Sequence, residues 1–314
     1  MVTLRTFRNS DPPRLVELWN AVFTGRGAVA LENSTPLEQF VFAKPTFDPA
    51  GLIFAEEDNK LVGFAHAALS CAPADAGPVG VTCVLGVVPA YRRHDVAARL
   101  LEECERYLKE RGAKTLQAGA CYPHNPFYLG LYGGSDSPGF LQSDPLAAPF
   151  FQARGYQVSR NIIVFQKDLE NTLRIADPRF TQLRNRFDVV GCMPRRLAGF
   201  WQECILGFIE PIELRVEDKT TGEVFGRTLV WEMEGFSRRW GGSAIGILRF
   251  EIDASVRRQG VGKFLLATLL RQVREQFFRT AEIQLDATNV NAIRFLQKLA
   301  FHQVDTGQVY TKAV

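Results

Sequence analysis

Apolar residues along this chain of 314 residues change their spacing from element to element, and the changes run through the same order twice. In the first half, alternating or continuous apolar runs predict a strand at 2–7, a hairpin over GLIFAEEDNKLVGFAHAAL (51–69), and strands at 80–88, 114–121 and 156–167. Apolar residues three and four apart predict helices at 12–23, 96–111 and 146–154. The second half repeats the hairpin at 212–234, turning at 219–222. It continues with strands at 245–253, 281–287 and 301–312 and helices at 260–277 and 290–299. RFDVVGC (186–192) and PRRLAGFWQECI (194–205) are candidates for its first strand and helix.

The repetition extends to individual residues. VVPAYRRHDVAARLLEECERYL (87–108) aligns with IDASVRRQGVGKFLLATLLRQV (252–273) at an offset of 165 residues. PFFQARGYQV (149–158) aligns with RFLQKLAFHQV (294–304) at an offset of 145, so the first half holds 20 extra residues between its two landmarks. They fall in CYPHNPFYLGLYGGSDSPGFLQSD (121–144), whose Gly, Pro, Asn, Asp and Ser mark a loop. Its aromatics Tyr122, Phe127, Tyr128 and Tyr132 argue against disorder. Such a loop forms a wall of a ligand pocket, or an Ω-loop that packs on its own side chains or bridges the two domains. A linker within QKDLENTLRIADPRF (166–180) separates two domains, 1–168 and 169–314. Each follows one α/β plan, with a mixed sheet of the α+β kind.

Composition narrows the partners. The chain is 46% hydrophobic and 23% charged, as in a folded protein, and no apolar run approaches the length of a membrane span. The opening MVTLRTFRNSDPPRL lacks the apolar segment of a secretory signal, so the expectation is a cytoplasmic protein with no membrane partner. A net charge of +3 and short basic clusters (Arg92/Arg93, Arg195/Arg196, Arg257/Arg258) without interleaved aromatics speak against nucleic acid. The six cysteines and four histidines are scattered, with no spacing that suggests a metal site or a disulfide framework.

The chemistry concentrates in RRQGVG (257–262). A strand that turns into a helix aims the helix's free N–H groups at whatever lies in the turn, and those groups together with the helix dipole favour an anion. Gly260 and Gly262 let a ligand approach the backbone, and Arg257, Arg258 and Lys263 add positive charge. A phosphate or pyrophosphate site follows. In the first copy, RRHDVA (92–97), Asp95 replaces the first glycine. A carboxylate there repels a phosphate, or caps the helix and occupies the same N–H groups.

These residues resemble the cofactor motif of the GCN5-related N-acetyltransferase (GNAT) family: Arg257, Gly260 and Gly262 fill its pattern, and Asn289, Ala292 and FLQKLAF resemble its later helix-to-strand motif. The layout is similar to the tandem members of the family, of which mycothiol synthase is one. The resemblance implies two tandem GNAT-like acyl-CoA N-acyltransferase domains that use acetyl-CoA as co-substrate and need no metal. Its pyrophosphate would rest on the backbone of Arg258, Gln259, Gly260, Val261, Gly262 and Lys263. Its pantetheine would pair with the strand at Phe250 and Ile252, near Asn289, where the sheet splays. A small-molecule amine would then attack the thioester, with an N–H near Ile252 holding the oxyanion.

The catalytic groups are less plain. Where many family members carry a proton-donating tyrosine, this chain has Phe151 and Leu296. Either Tyr310, Tyr128 or Tyr132 supplies the proton instead, or water does. Glu251 and Asp253, with Glu232 and Glu234, are candidate bases. Tyr128 and Tyr132 are also candidate walls of the acceptor pocket. Two other readings stand beside the enzyme: a CoA-binding or structural protein without turnover, and an exchange of roles in which the first site binds CoA despite Asp95.

Overall fold

The computed structural model describes residues 1–70, 72, 77–92, 95–170, 175–193 and 199–314. The first half opens with β1 (Thr3–Thr6) and α1 (Pro12–Val22), then a short α2 (Thr35–Leu37) running into a wide turn at Glu38–Phe42. β2 (Leu52–Glu57), β3 (Lys60–Leu69) and β4 (Val79–Val87) form an antiparallel meander, and α3 (Val96–Glu110) crosses over to β5 (Thr115–Ala118), parallel to β4. β6 (Phe140–Leu141), α4 (Ala147–Gln152) and β7 (Gln157–Asp168) complete it.

The second half contains α5 (Phe180–Arg186), β8 (Phe187–Cys192), α6 (Phe200–Leu206), β9 (Ile212–Asp218), β10 (Val224–Glu232) and α7 (Ser237–Trp240). It ends in β11 (Ala244–Ile252), α8 (Val261–Glu275), β12 (Thr280–Asp286), α9 (Val290–Lys298) and β13 (His302–Ala313). Apart from α2, α5, α7 and β6, these are the elements that the spacing predicts. Of the helix predicted at 194–205, residues 194–198 lie outside the described set, as do Cys71, Arg93 and His94.

All strands join one mixed sheet in the order β1-β2-β3-β4-β5-β13-β7-β12-β11-β10-β9-β8, with β6 paired to β13. The two halves trade their last strands. β7, from the first half, pairs along β12 from Ile162 opposite Asp286 to Asp168 opposite Thr280. β13, from the second half, pairs along β5 from Tyr310 opposite Ala118 to Ala313 opposite Thr115. The exchanged strands also pair with each other from Thr311 opposite Gln157 to His302 opposite Gln166. Two tandem domains of the same mixed α/β plan are thereby stitched into one sheet.

The packing follows the exchange. α3 buries Val96, Leu100, Leu101, Cys104 and Leu108, the positions its spacing predicts, against β2 and β3, and Tyr310 lies in that same core. α8 buries Val261, Leu265, Leu266, Leu269 and Leu270 against β9 to β12, together with Phe165 of β7. Each core thus includes an aromatic ring from the other half. A further core between the halves unites Trp19 and Phe64 with Phe127, Tyr128 and Leu131 of the long loop and with Ile205, Trp231 and Phe236.

Candidate active site

The site begins where β11 and β12 part. They pair only from Ala244 opposite Thr280 to Ile247 opposite Ile283, so Leu248 to Ile252 run on without a partner on that side. One extra residue in β11 shifts its register against β10 between Leu248 and Glu251, and Arg249 there has φ +51°. A bulge of this kind twists a strand away from its neighbour. Beyond it, Asp253 accepts from Ser255 N at 2.8 Å and from Ser255 Oγ at 2.5 Å, closing a turn at Ala254–Val256. These bonds hold its carboxyl below the usual range. Arg257 Nε then donates to Ile252 O at 2.9 Å and clamps the turn to the strand end.

α8 starts after two left-handed residues, Arg258 at φ +62° and Gly260 at φ +94°. A side chain on Gly260 would be strained, and its Cβ would lie 3.1 Å from the Arg179 guanidinium. A cleft of about 990 Å³ opens against this turn. Phe250, Ile252, Arg257, Arg258, Gly260, Gly262, Lys263 and Asn289 line it, and so does the exposed Glu251. Val261 instead packs in the core, and the Gln259 side chain turns back to donate to Ser255 O at 2.9 Å. Asn289 caps α9, accepting from Ala292 N at 3.2 Å.

Sequence reasoning missed three basic groups of this cleft. Arg294 and Lys298 lie one helical turn apart on the face of α9 that meets it, a spacing visible in the sequence. Arg179 comes from the linker region, where no periodicity points to it. Its guanidinium binds both oxygens of Asp177, at 2.8 and 2.9 Å, and donates to Arg258 O at 3.0 Å. Lys263 Nζ donates to Ala176 O at 2.7 Å and to Asp177 Oδ2 at 3.3 Å. Arg179 and Lys263 hold the Asp177 carboxyl well below the ordinary carboxylate range. Arg257, Arg258, Arg294 and Lys298, with Arg179 and Lys263 shared with Asp177, set positive charge against Glu251 around the turn, an arrangement that suits an anionic ligand.

The first half keeps the scaffold of the turn. Arg92 Nε donates to Val87 O at 3.2 Å, the counterpart of the Arg257 clamp, and Asp95 takes φ +51° where Gly260 takes +94°. Asp95 does not cap α3 with its side chain, contrary to one of the two expectations for it. A capping carboxylate requires an extended backbone at that position, and the left-handed conformation turns the side chain away from the helix amides.

The long loop bridges the halves. Tyr128 is buried, stacks on Trp19 with ring centroids 5.7 Å apart, and its hydroxyl lies 3.0 Å from His66 Nδ1. Burial pushes His66 down to about 3. Tyr132 packs on Phe23 and accepts from Leu141 N at 3.3 Å. Both rings belong to the core between the halves. Tyr310 is fully buried in the first half's core against Phe151, donates to Gln308 Oε1 at 2.8 Å, and is pushed up to about 12 by burial. The structure therefore does not bring Tyr310 to the cleft at Gly260. Glu232 and Glu234 lie on a separate groove beside Ile245, at the paired end of β11.

On the face of the sheet opposite α8, the loop tip 133–137 is pinned across the second half. Ser135 N donates to Glu282 Oε1 at 2.6 Å, Trp231 Nε1 to Ser135 O at 3.0 Å, and Gln284 Nε2 to Gly133 O at 2.8 Å. Glu282 is buried, raised by desolvation, and also accepts from Gln166 Nε2 at 2.6 Å. Gly134 is required here, because at φ +97° its Cβ would fall 2.1 Å from Glu282 Oε1. Among the described residues no group of three His, Cys, Asp or Glu could hold a metal ion, and no helix is long and apolar enough to cross a membrane.

The acetyltransferase (GNAT) family model matches the chain twice, at residues 13–133 and 182–301. Among solved structures, the chain superposes over 99% of its length on the GCN5-related glucosamine N-acetyltransferase region of a fungal multi-domain GH3 β-N-acetylglucosaminidase, with a TM-score of 0.74 and 14% identity, spanning 38% of that protein. It matches a tandem GNAT protein from the clavulanic acid biosynthesis pathway over 100% of its own length and 98% of the other, with a TM-score of 0.68 and 16% identity. A GCN5-related N-acetyltransferase from Sphaerobacter thermophilus matches with a TM-score of 0.66 and 14% identity, over 99% of this chain and 95% of that one. At these identities the structures establish likeness of fold. No curated protein matches the sequence.

Proposed function

The chain belongs to the GNAT family of acetyltransferases, and from that premise we propose that it is an N-acyltransferase whose second half holds acetyl-CoA while an amine, carried by a small molecule, attacks the thioester. The observation that carries this reading is the cleft at Gly260, where an open strand edge, a left-handed glycine turn and six cations meet. The amides of residues 258–263 and the surrounding Arg and Lys side chains suit the donor's phosphates. The unpaired edge from Leu248 to Ile252 suits its amide-bearing arm, which adds as a strand does. An N–H near Ile252 then faces the thioester oxygen, where negative charge develops as the nitrogen adds.

Of the residues offered from sequence as proton donors or bases, Glu251 is the one that lines the cleft.

Titration calorimetry of acetyl-CoA into the wild type and into Gly260→Asp tests the reading. One site per wild-type chain is expected, with binding at least about 100-fold weaker in the variant, since the new carboxylate meets phosphate in a partly dry pocket. Binding that survives the substitution would place the donor elsewhere. Binding with no release of CoA to any amine would leave a CoA-binding protein without turnover.

A further inference from the structure

Asp136 sits at the tip of the long loop of the first half, yet its surroundings belong to the second. Ser135 beside it is fastened to Glu282 of β12 and Trp231 of β10. Its own carbonyl accepts from Gln284 Nε2 of β12 at 3.3 Å. Gln284 is the first residue of β12 beyond the pairing with β11, so the tip lies at the point where the two strands separate. Ser135 also lies against Gly246 of β11, where an added Cβ would be 3.0 Å from Ser135 Cβ.

The carboxyl lies within electrostatic reach of two guanidiniums on opposite sides of that opening, Arg249 of β11 and Arg160 of β7. Both have other engagements. Arg249 Nη1 donates to Gln202 Oε1 at 2.6 Å, with its guanidinium over the exposed ring of Tyr122. Arg160 donates to Asp286 Oδ2 at 2.9 Å and to Tyr122 O at 2.9 Å. Ser137 N donates to Asp136 Oδ1 at 2.7 Å, which leaves Oδ2 to receive a proton. The β12 side chains alternate: Ala281 and Ile283 join the α8 core, while Glu282 and Gln284 reach the loop. The cleft at Gly260 therefore opens on one face of the sheet, and Asp136 stands on the other at the same gap.

We infer that Asp136, supplied by the first half, is the general base for the acceptor amine in the second half's active site, which is thus built from both halves. This rests on the proposed acyl transfer. As the N–C bond forms and the C–S bond breaks, Asp136 takes one proton from the attacking nitrogen and passes it to solvent, and the departing sulfur recovers a proton from solvent. The charge state suits a proton acceptor. Burial raises the carboxyl to about 6, against the partial relief given by Ser137 N, Arg249 and Arg160. Two further titratable groups lie close by: the Cys121 thiol, pushed up to about 12 by burial and hence neutral, and Glu282, raised by burial and bonded to Ser135 N beside Asp136. A base poised near 6 is ionised at neutral pH, and the loop tip that carries it is fastened where β11 and β12 part.

The experiment compares wild type, Asp136→Asn and Asp136→Ser as full chains. CoA release from saturating acetyl-CoA is followed from pH 5 to 9 with a panel of diamines, amino alcohols, amino sugars and amino acids, and acetyl-CoA affinity is measured in parallel. The expected result is a wild-type rate that falls as pH drops through about 6, and a kcat at least about 100-fold lower in both variants, with acetyl-CoA affinity within about twofold and the acid limb gone. Variant rates within about threefold of wild type, or an unchanged acid limb, overturn the assignment. Wild type that binds acetyl-CoA but releases no CoA to any amine also overturns it. Wild type that fails to bind acetyl-CoA overturns the acyl-CoA reading itself, a separate failure visible before any rate is measured.

Discussion

At the start of α3 the backbone turns through Asp95 at φ +51°, and at the start of α8 through Gly260 at φ +94°; in each case an arginine three residues earlier ties the turn to the end of the preceding strand. Among the described residues the two turns share the arginine clamp and a left-handed residue before the helix, and the cleft with its basic groups lies at the second. Counterparts of the cleft's polar residues, read across the two offsets, are Ala98 for Lys263, Asp144 for Asn289, Pro149 for Arg294 and Ala153 for Lys298. The left-handed position before the helix is thus kept while the side chains around it differ. Asp tolerates left-handed angles better than most residues, so Asp95 can hold the position that Gly260 holds in the second half.

The largest effect should come from attacking the strand exchange that joins the halves. Tyr310→Ala removes a fully buried ring from the first half's core although the residue is encoded near the end of the second. A loss of about 4 kcal/mol is expected in urea unfolding. Faster amide exchange should appear in α3, which shares that core. Exchange that quickens only within 169–314 would contradict the shared packing.

A smaller effect separates function from stability at Asp136. Its folded carboxyl is raised from 3.8 to about 6, so the stability it contributes is complete below pH 3.8 and is lost as pH rises through about 6. Above that, the ionised group burdens the fold. Asp136→Asn should be more stable than wild type by about 1–2 kcal/mol at pH 7, with the difference vanishing below about pH 4, as thermal or urea unfolding across pH will show. A variant less stable at pH 7 would mean that the carboxylate is held for structure.

The smallest effect belongs to the two turns themselves. Asp95→Gly restores the missing glycine, yet Ala98, Asp144, Pro149 and Ala153 remain. Stability should change by less than about 1 kcal/mol. Calorimetry should still find one acetyl-CoA site per chain, and a second site would show that the carboxylate alone had silenced the first copy.

The cleft was legible because its parts are close in sequence. A glycine pair behind two arginines at a strand-to-helix turn needs no distant partner to be recognised, and the alternation of Phe250 and Ile252 puts both on the edge that opens. Tyr128 and Tyr132 illustrate the opposite case. Their ring chemistry suits a pocket wall as well as a core, and only the arrival of Trp19, His66 and Phe23 from far along the chain decided for the core. Asp136 carries no local mark at all, being one acidic residue in a Gly, Ser and Pro-rich loop. Its raised carboxyl arises from burial against the second half, where its neighbours come from β7, β11 and β12.

By itself the sequence determined the duplicated order of strands and helices, the faces that α3 and α8 bury, and the glycine turn in one copy against aspartate in the other. These depend on spacing within a few residues, which dihedral preferences and side-chain periodicity dictate locally. The tertiary structure decided which half each last strand joins, and with that the destinations of Phe165, Tyr310 and Asp136. β7 and β13 are both twelve-residue strands. Backbone pairing reads no sequence, so their partners are chosen by the packing of the whole sheet rather than by either strand's pattern.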